Sequence, residues 1–314
     1  MTSKTRTIVV RILYVTLIAA VVYFLGKEIA GNWGKIRAFH FDFNWSLVGF
    51  ASLAYAGSFI IFALAWGLLL KGTGNRLPFI DTLTYFFVTQ PAKYIPGKIW
   101  LPVMRNHFCK KHGISLPLTF LAAGIESVFE ILAGTYISII AILHTPLLGQ
   151  WGSIGTIGLV IVGVILMIPR VFYFCVNAYL KLLRQPPLPA ENHVTFLQLL
   201  SIQSIYIFGM ALYGLSQALF LISFTSIPMS ALPYLTSMGA FTYVASILGV
   251  TPSGLGVREY VWIVALRKML EHHISIIFAF VSRLWTIAIE LILAFIFFIV
   301  LMARKSNDPD PKLK

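Results

Sequence analysis

The sequence predicts an all-α polytopic membrane protein, with about six transmembrane helices and two broken or re-entrant segments arranged as inverted repeats. Hydrophobic residues make up 58% of the 314 residues and charged residues only 11%, with a mean hydropathy of +0.85. A soluble domain carries about 25% charged residues, so this chain cannot cover an aqueous surface. The apolar residues also fall into blocks of the roughly 20 residues that cross a hydrocarbon core as a helix.

Six apolar blocks provide the predicted spans. In chain order they run approximately over 8–25, 45–70, 116–143, 154–180, 199–224 and 274–302. The first block follows Lys4 and Arg6, and no small-residue cleavage site follows it. We therefore interpret it as a retained span and not as a signal peptide. Residues 304–314 are polar and are expected to form a disordered cytoplasmic tail.

Lysine and arginine residues predict the orientation, because cytoplasmic loops carry an excess of them. If the N-terminus is inside, the basic loops around Lys71, Lys110 and Lys181 are inside as well. We therefore expect both termini to be cytoplasmic. The net charge of +13 then reflects this bias together with attraction to anionic lipid, and no nucleic-acid partner is expected.

Two regions, 77–112 and 227–273, interrupt the order of spans. Each contains an apolar run too short or too interrupted for an ordinary span. Each begins with a proline, Pro78 or Pro228, and reaches a Pro-Gly or Pro-Ser-Gly turn beside basic residues. Such segments predict helices that break within the membrane, where protein or water must satisfy the backbone. The alternative interpretation is a pair of loops with amphipathic surface helices.

The order span, span, broken segment, span occurs twice and divides the chain into a first repeat, 1–150, and a second repeat, 151–303. Three spans per repeat is an odd number, so the second repeat must be inverted relative to the first. Inverted repeats with broken helices at matching positions indicate a transport site near the middle of the bilayer. A helix that starts after a break would also point its backbone N–H groups at the break, where an anion could bind.

Ionisable residues within spans are costly and usually face the interior of a helix bundle. Glu126 and Glu130 lie one turn apart on the third span, and Arg283 and Glu290 lie in the last span. We expect Arg283 to pair with Glu126 or Glu130, and all four residues are candidates for a gate. An ion pair that only locks the two repeats together is an equally good interpretation.

No pattern in the sequence indicates a cofactor, a metal or a catalytic residue. The seven histidines show no metal-ligand spacing, and there is no Walker A motif. No nucleophile and base stand at a spacing that can be interpreted. The chain is therefore not expected to be an enzyme.

Two stretches, 93–100 (KYIPGKIW) and 251–259 (TPSGLGVRE), resemble the signature stretches of the lysylphosphatidylglycerol synthase transmembrane family, also called the flippase-like domain. The helix with Glu126 and Glu130 fits the family too, and the resemblance covers essentially the whole chain. It implies that lipid headgroups contact the matching residues and their neighbours. These candidates are Lys93, Pro96, Gly97, Lys98, Trp100, Arg105, Pro252, Ser253, Gly254, Gly256, Arg258 and Glu259.

In bifunctional members of the family, a domain like this one moves aminoacylated lipid between leaflets, and a separate soluble domain makes that lipid. A synthase domain is not expected here, so the resemblance does not imply the cargo. The leading hypothesis is a translocase (flippase) of the bacterial inner membrane. It would move an anionic phospholipid or a polyprenyl-phosphate-linked sugar during envelope biogenesis, and Lys98 and Arg258 would hold the phosphate.

Two alternatives stay open. The protein could be an accessory membrane subunit that presents a lipid-linked substrate to a separate glycosyltransferase. It could also be an integral membrane lipid transferase that uses an acid such as Glu126 or Glu259 as a base, which the sequence supports least. A homo-oligomer is compatible with each of these hypotheses.

Overall fold

A computed structural model describes residues 30–31, 33–95, 99–144, 149–189, 193–249 and 251–307. These residues form helices and connections, with no strand among them, which confirms the predicted all-α class. Within the described ranges, five helices are long and apolar enough to cross a membrane, and a bent pair provides a sixth span if it counts as one. The predicted first span, 8–25, lies outside the described residues.

The α-helices are numbered here in chain order. They are α1 (Trp33–Ala38), α2 (Trp45–Gly72), α3 (Phe79–Thr89), α4 (Trp100–Cys109), α5 (Leu116–His144), α6 (Gly149–Leu166), α7 (Pro169–Leu182), α8 (Phe196–Ile222), α9 (Leu232–Leu248), α10 (Val257–Leu266) and α11 (His272–Asn307). A 3-10 turn at Gln90–Tyr94 follows α3 and is called the first break. A second 3-10 turn at Pro252–Gly254 lies between α9 and α10 and is called the second break.

Local sequence signals set the starts of the long helices. The Asn44 side chain accepts a hydrogen bond from a backbone N–H in the first turn of α2. Thr195 and Gln198 cap each other's backbone N–H groups at the start of α8. Pro78 directly precedes α3, and Pro228 directly precedes the short turn into α9. The expected proline-led starts of both broken segments are therefore confirmed.

The predicted fourth span, 154–180, is wrong as a single helix. α6 ends at Leu166, α7 begins at Pro169, and the chain bends by 88° between them. Ile168 is extended, with φ −72° and ψ 116°. Proline disfavours the helical conformation at the preceding residue and has no N–H with which to continue a helix, which explains the break.

The two broken segments differ in length, which corrects a second expectation. α3 has only 11 residues and is about 16 Å long. By contrast, Met229–Leu248 is long and apolar enough to cross a membrane, although the sequence indicates too short a run. In both segments the helix after the break packs back against the helix before it, α4 against α3 and α10 against α9.

The last helix also extends further than expected. α11 continues to Asn307, so residues 304–307 are helical and not part of a disordered tail. Arg304 near its end pairs with Asp81 in the first turn of α3. On another side of the bundle, the Asn44 N–H donates to the Ser223 oxygen at 2.7 Å and joins the start of α2 to the end of α8. These contacts join helix ends that are far apart in the sequence.

Small residues let the central helices α2, α5, α8 and α9 pack closely. A Cβ atom on Gly214 of α8 would lie 2.1 Å from the Thr236 backbone oxygen of α9. A Cβ atom on Gly134 of α5 would lie 2.3 Å from the Val244 side chain of α9. Such crossings are typical of membrane helices, where packing rather than a hydrophobic force holds neighbours together. This packed centre supports the polar groups described next.

Candidate functional site

Two neighbouring cavities lie where the breaks meet α11. The first break contacts the second break, and α11 packs against α3, the first break and α10. The wide cavity has a volume of about 580 Å³ and the narrow cavity about 50 Å³. Five side chains line both cavities and so form the wall between them: Phe59, Lys93, Tyr243, Ser246 and Ser253.

The two cavities differ in the charge of the groups that line them alone. The wide cavity adds two carboxylates and neutral polar groups, namely Gln90, Glu126, Ser127 and Glu130. The narrow cavity adds two guanidinium groups, one carboxylate and three phenols, namely Tyr55, Tyr94, Tyr213, Arg258, Arg283 and Glu290. Acids therefore dominate the wide cavity, and cations dominate the narrow one.

Glu290 of α11 is held by three donors. The Tyr55 hydroxyl and the Lys93 ammonium donate to one carboxylate oxygen at 2.5 and 2.7 Å, and the Tyr94 hydroxyl donates to the other at 2.6 Å. The Glu290 residue is only 5% exposed, whereas the Lys93 side chain is 24% exposed. Lys93 and Tyr94 come from the first break, so this contact ties the first broken segment to α11.

Arg283 pairs with Glu259, so the expected pairing of Arg283 with Glu126 or Glu130 is wrong. The Arg283 guanidinium donates to Glu259 Oε1 at 2.7 Å, and Glu259 Oε2 accepts the Gly256 N–H at 2.6 Å. One carboxylate thus binds a cation and caps its own helix, α10. The predicted anion site at the start of α10 is therefore occupied by the chain's own Glu259.

Glu126 is bound by Arg105 of α4. The guanidinium contacts both carboxylate oxygens, one of them at 3.2 Å, and Arg105 is completely buried. Its planar group also lies 4.7 Å from the Trp66 ring and 4.6 Å from the Phe86 ring. Bidentate pairing and stacking are the arrangement that arginine makes and lysine cannot. This pair joins α4 to α5 and to the packed centre.

Glu130, one turn further along α5, has no cation partner within the described part of the chain. It accepts a hydrogen bond from the Tyr243 hydroxyl of α9 at 3.1 Å. The Tyr243 ring packs edge-on against Tyr213 at 4.7 Å, and Tyr213 packs against Tyr55 at 5.7 Å. A row of tyrosines thus connects Glu130 beside the wide cavity with Glu290 beside the narrow one.

Arg258 is a buried cation that makes no salt bridge among the residues that the structure describes, just as Glu130 is a buried acid that makes none. It is 9% exposed and donates to the neutral Gln217 side chain of α8 at 2.6 Å. Its Nε atom is buried and has no hydrogen-bond partner in the described structure. The Tyr213 ring lies 6.0 Å from the guanidinium. A cation that makes no salt bridge in a membrane interior is costly, so Arg258 is a candidate functional position.

The second break requires its glycine. Ser253 and Gly254 both have left-handed backbone conformations, with φ 48° and φ 66°. A Cβ atom on Gly254 would lie 2.5 Å from the Ser246 Cα atom of α9, so only glycine fits. The tight turn brings Ser253 into the wall between the cavities and starts α10 where Arg258 can reach Gln217.

The sequence matches the family described as Lysylphosphatidylglycerol synthase TM region over residues 8–302. The chain belongs to this lysylphosphatidylglycerol synthase transmembrane family. The match confirms the resemblance seen in the two signature stretches and covers nearly the whole chain, as expected. With the apolar helices, it establishes a multi-pass membrane protein of the flippase-like type. No curated protein sequence matches the chain significantly.

In this family member, the described signature residues do not all lie at the cavities. Lys93, Ser253 and Arg258 line them, as do Glu126, Glu130, Arg283 and Glu290. Arg105 and Glu259 do not line the cavities but bind residues that do: Arg105 binds Glu126, and Glu259 binds Arg283. Trp100 begins α4 and is 41% exposed, and Pro252 begins the second break. Pro96, Gly97 and Lys98 fall outside the described residues, so their expected lipid contact stays a prediction.

Sequence reasoning missed the neutral partners of the charged groups. Tyr55, Tyr94 and Tyr243 bind the two carboxylates, and Gln217 binds Arg258. Gln217 carried a usable signal, because a glutamine inside an apolar span needs a polar partner. The tyrosines carried none, since tyrosine is common throughout membrane helices and at their interfaces.

Proposed function

We propose that this protein is a lipid translocase of the bacterial inner membrane that moves an anionic headgroup between leaflets. The observation that supports this best is Arg258, whose buried charge makes no salt bridge within the described structure. Burying an ion without an ion-pair partner costs several kcal/mol, so such an ion within a membrane protein is a candidate for binding an anion. A phosphate group supplies the missing charge and the acceptors that a guanidinium prefers.

The two cavities offer such a headgroup a route. The wide cavity, at about 580 Å³, has the size of a ligand site, which typically spans roughly 300–1,000 Å³. Lys93 lies in the wall that separates it from the narrow cavity with Arg258 and Arg283. The phosphate would move between these cations while the acyl or polyprenyl chains stayed in the bilayer, so the cavities need only accommodate the headgroup.

The proposal includes the inverted arrangement of the repeats 1–150 and 151–303, with both termini in the cytoplasm. Broken helices that meet at a polar centre support it, because transporters of this architecture bind their cargo at such breaks. The first break contacts the second break at the wall between the two cavities. A headgroup that reaches the wall is therefore in contact with both repeats.

Leaflet exchange in proteoliposomes tests the proposal. Purified protein is reconstituted with fluorescent phosphatidylglycerol, with a fluorescent polyprenyl phosphate, or with fluorescent phosphatidylcholine as the zwitterionic control. Dithionite quenching then reports how much label reaches the outer leaflet. We expect exchange of at least one anionic lipid and its loss, by roughly tenfold or more, in Arg258→Gln, because a charged hydrogen bond contributes about 1.5–3 kcal/mol.

Arg267→Gln is the matched control. Arg267 follows the end of α10, and Arg258 lies in the first turn of the same helix, but the Arg267 side chain is exposed and lines neither cavity. Both variants lose one positive charge, so only the position differs. Equal exchange in both variants, or no exchange of either anionic lipid by folded wild-type protein, would overturn the proposal. The second result would favour the accessory-subunit function and a search for a glycosyltransferase partner.

A further inference from the structure

The donors that bind Glu290 form a site suited to an anion other than Glu290. Tyr55, Lys93 and Tyr94 present two hydroxyls and one ammonium to a single carboxylate, all within 2.7 Å. Oxygens of a phosphate diester accept the same hydrogen bonds as a carboxylate does. The cluster is called here the donor cage.

We infer that Glu290 is an internal substitute for the lipid phosphate, and that the incoming headgroup displaces it from the donor cage. The inference rests on the proposed function, since it assumes that an anionic headgroup enters the cavities. It assigns Glu290 a role of its own: the carboxylate keeps the cage closed until an anion competes for it.

The placement of Lys93 supports the exchange. Lys93 lines both cavities, whereas Glu290 lines only the narrow one. An anion in the wide cavity can therefore approach Lys93 without first passing Glu290. The partly exposed Lys93 side chain also lies 5.0 Å from the Phe59 ring, which helps to hold a cation that turns away from its carboxylate.

The helices that contribute to the cage allow Glu290 to leave it. Lys93 and Tyr94 belong to the first break and Tyr55 to α2, whereas Glu290 belongs to α11. In the apolar stretch of α11 only 17% of the residues are buried, against 50% in α2. Fewer packing contacts therefore oppose a displacement of α11 than one of α2.

Charge balance favours the exchange. In the described structure Lys93 is paired with Glu290, and Arg258 has no carboxylate. Once a phosphate binds Lys93, the released Glu290 carboxylate remains beside the narrow cavity, which Arg258 also lines. The entering anion thus leaves each of these two cations with an anionic partner. Glu290 therefore does not become a second acid without a nearby cation, as Glu130 is in the described structure.

The test uses the opposite signs that two substitutions should give. Dihexanoyl-phosphatidylglycerol is titrated into the purified full-length protein in detergent, and binding is followed by calorimetry, with inorganic phosphate as a second probe. Glu290→Gln keeps an oxygen that accepts from the tyrosines but removes the competing charge, so it should bind the lipid roughly tenfold more tightly. Lys93→Gln should bind it roughly tenfold more weakly. Tighter binding of inorganic phosphate as well would identify the phosphate group, not the whole headgroup, as what the cage recognises.

A purely structural ion pair predicts another pattern, in which Glu290→Gln and Lys93→Gln both weaken binding or both leave it unchanged. Either result would overturn the inference. If Glu290→Gln fails to fold, Glu290→Asp retracts the carboxylate by one methylene and should shift affinity in the same direction by a smaller factor.

Leaflet exchange separates the inference from the proposed function. If wild-type protein exchanges anionic lipid and Arg258→Gln does not, while Glu290→Gln binds no more tightly than wild type, only the displacement of Glu290 is refuted. If no variant binds or exchanges an anionic lipid, the proposed function fails and the inference fails with it.

Discussion

Replacing Gly214 with alanine should force α8 and α9 apart and disturb the site from a distance. The added Cβ atom would lie 2.1 Å from the Thr236 backbone oxygen and 3.0 Å from its carbonyl carbon. Ordinary van der Waals contact begins near 3.4 Å, so the helices would have to separate by about 1.3 Å. A backbone oxygen within a helix cannot rotate away as a side chain can, so the clash has no local relief.

The expected loss of stability follows from two opposing effects. Overpacking of a close contact costs about 1–3 kcal/mol. Alanine is favoured over glycine within a helix by about 1 kcal/mol, which offsets part of this cost. We expect a net loss of up to about 2 kcal/mol. Gly57→Ala is the control, because Gly57 lies within α2 and a Cβ atom there would meet nothing within 4 Å. That variant should be neutral or up to about 1 kcal/mol more stable.

Unfolding of both variants in mixed micelles with increasing dodecyl sulfate measures the difference. Tyr213 precedes Gly214 on α8, and Gln217 follows one turn later and binds Arg258. Separation of the helices should therefore also slow lipid exchange in Gly214→Ala but not in Gly57→Ala. If Gly214→Ala is as stable as Gly57→Ala, the added Cβ atom does not force α8 and α9 apart.

Two further predictions concern ion pairs. Arg105→Gln should lower stability by roughly 3–5 kcal/mol, because Glu126 would be buried without its partner. Arg105→Lys should restore little of this stability, since an ammonium cannot replace the bidentate contact and stacking. An Arg105→Lys variant that unfolds at the same dodecyl sulfate fraction as wild type would contradict this. Asp81→Asn should free the end of α11 by removing the charged partner of the half-exposed Arg304, and it also removes the contact of Asp81 with His112 at 3.5 Å. The Arg304 pair itself contributes about 1 kcal/mol or less to global stability, because Arg304 is half-exposed. Hydrogen exchange in residues 300–307 should become faster, and unchanged exchange would show that the pair does not hold this end.

The spans that the sequence predicted correctly are those whose ends carry a physical signal. The predicted 45–70 and 116–143 correspond to α2 and α5 within a few residues, because polar residues and caps bound their apolar runs. The run 154–180 is apolar overall, although less so after Pro169 than before it. Hydropathy measures only transfer into lipid, whereas the bend is a property of the backbone. Pro169 therefore predicts the bend in this run, which its hydropathy does not.

The charged residues of the site were identifiable, but their pairing was not. Arg283 and Glu290 stand out as ionisable groups in an apolar helix, and both lie at the narrow cavity. The nearly equal spacings of 30 positions from Pro96 to Glu126 and 31 from Pro252 to Arg283 suggest that Arg283 meets the acids of the third span. Spacing along a chain fixes the height of a residue in the membrane but not which helices are neighbours. Glu259, a signature residue 24 positions away, is the true partner of Arg283.

The distribution of close packing indicates which parts of the molecule move. Glycine crossings hold α5 against α9 and α8 against both α2 and α9; at the crossing of α8 and α2, a Cβ atom on Gly209 would lie 2.7 Å from the Phe62 ring. The crossings of α5 with α9 and of α8 with α2 join the two proposed repeats, so the repeats cannot rock against each other as whole bodies without breaking them. Hydrogen bonds join Glu290 of α11 to the first break, and α11 is the least buried of the described helices that are long enough to span a membrane. Exchange of a headgroup for Glu290 therefore requires a shift of α11 relative to the first break, while the packed centre that positions Arg258 stays fixed.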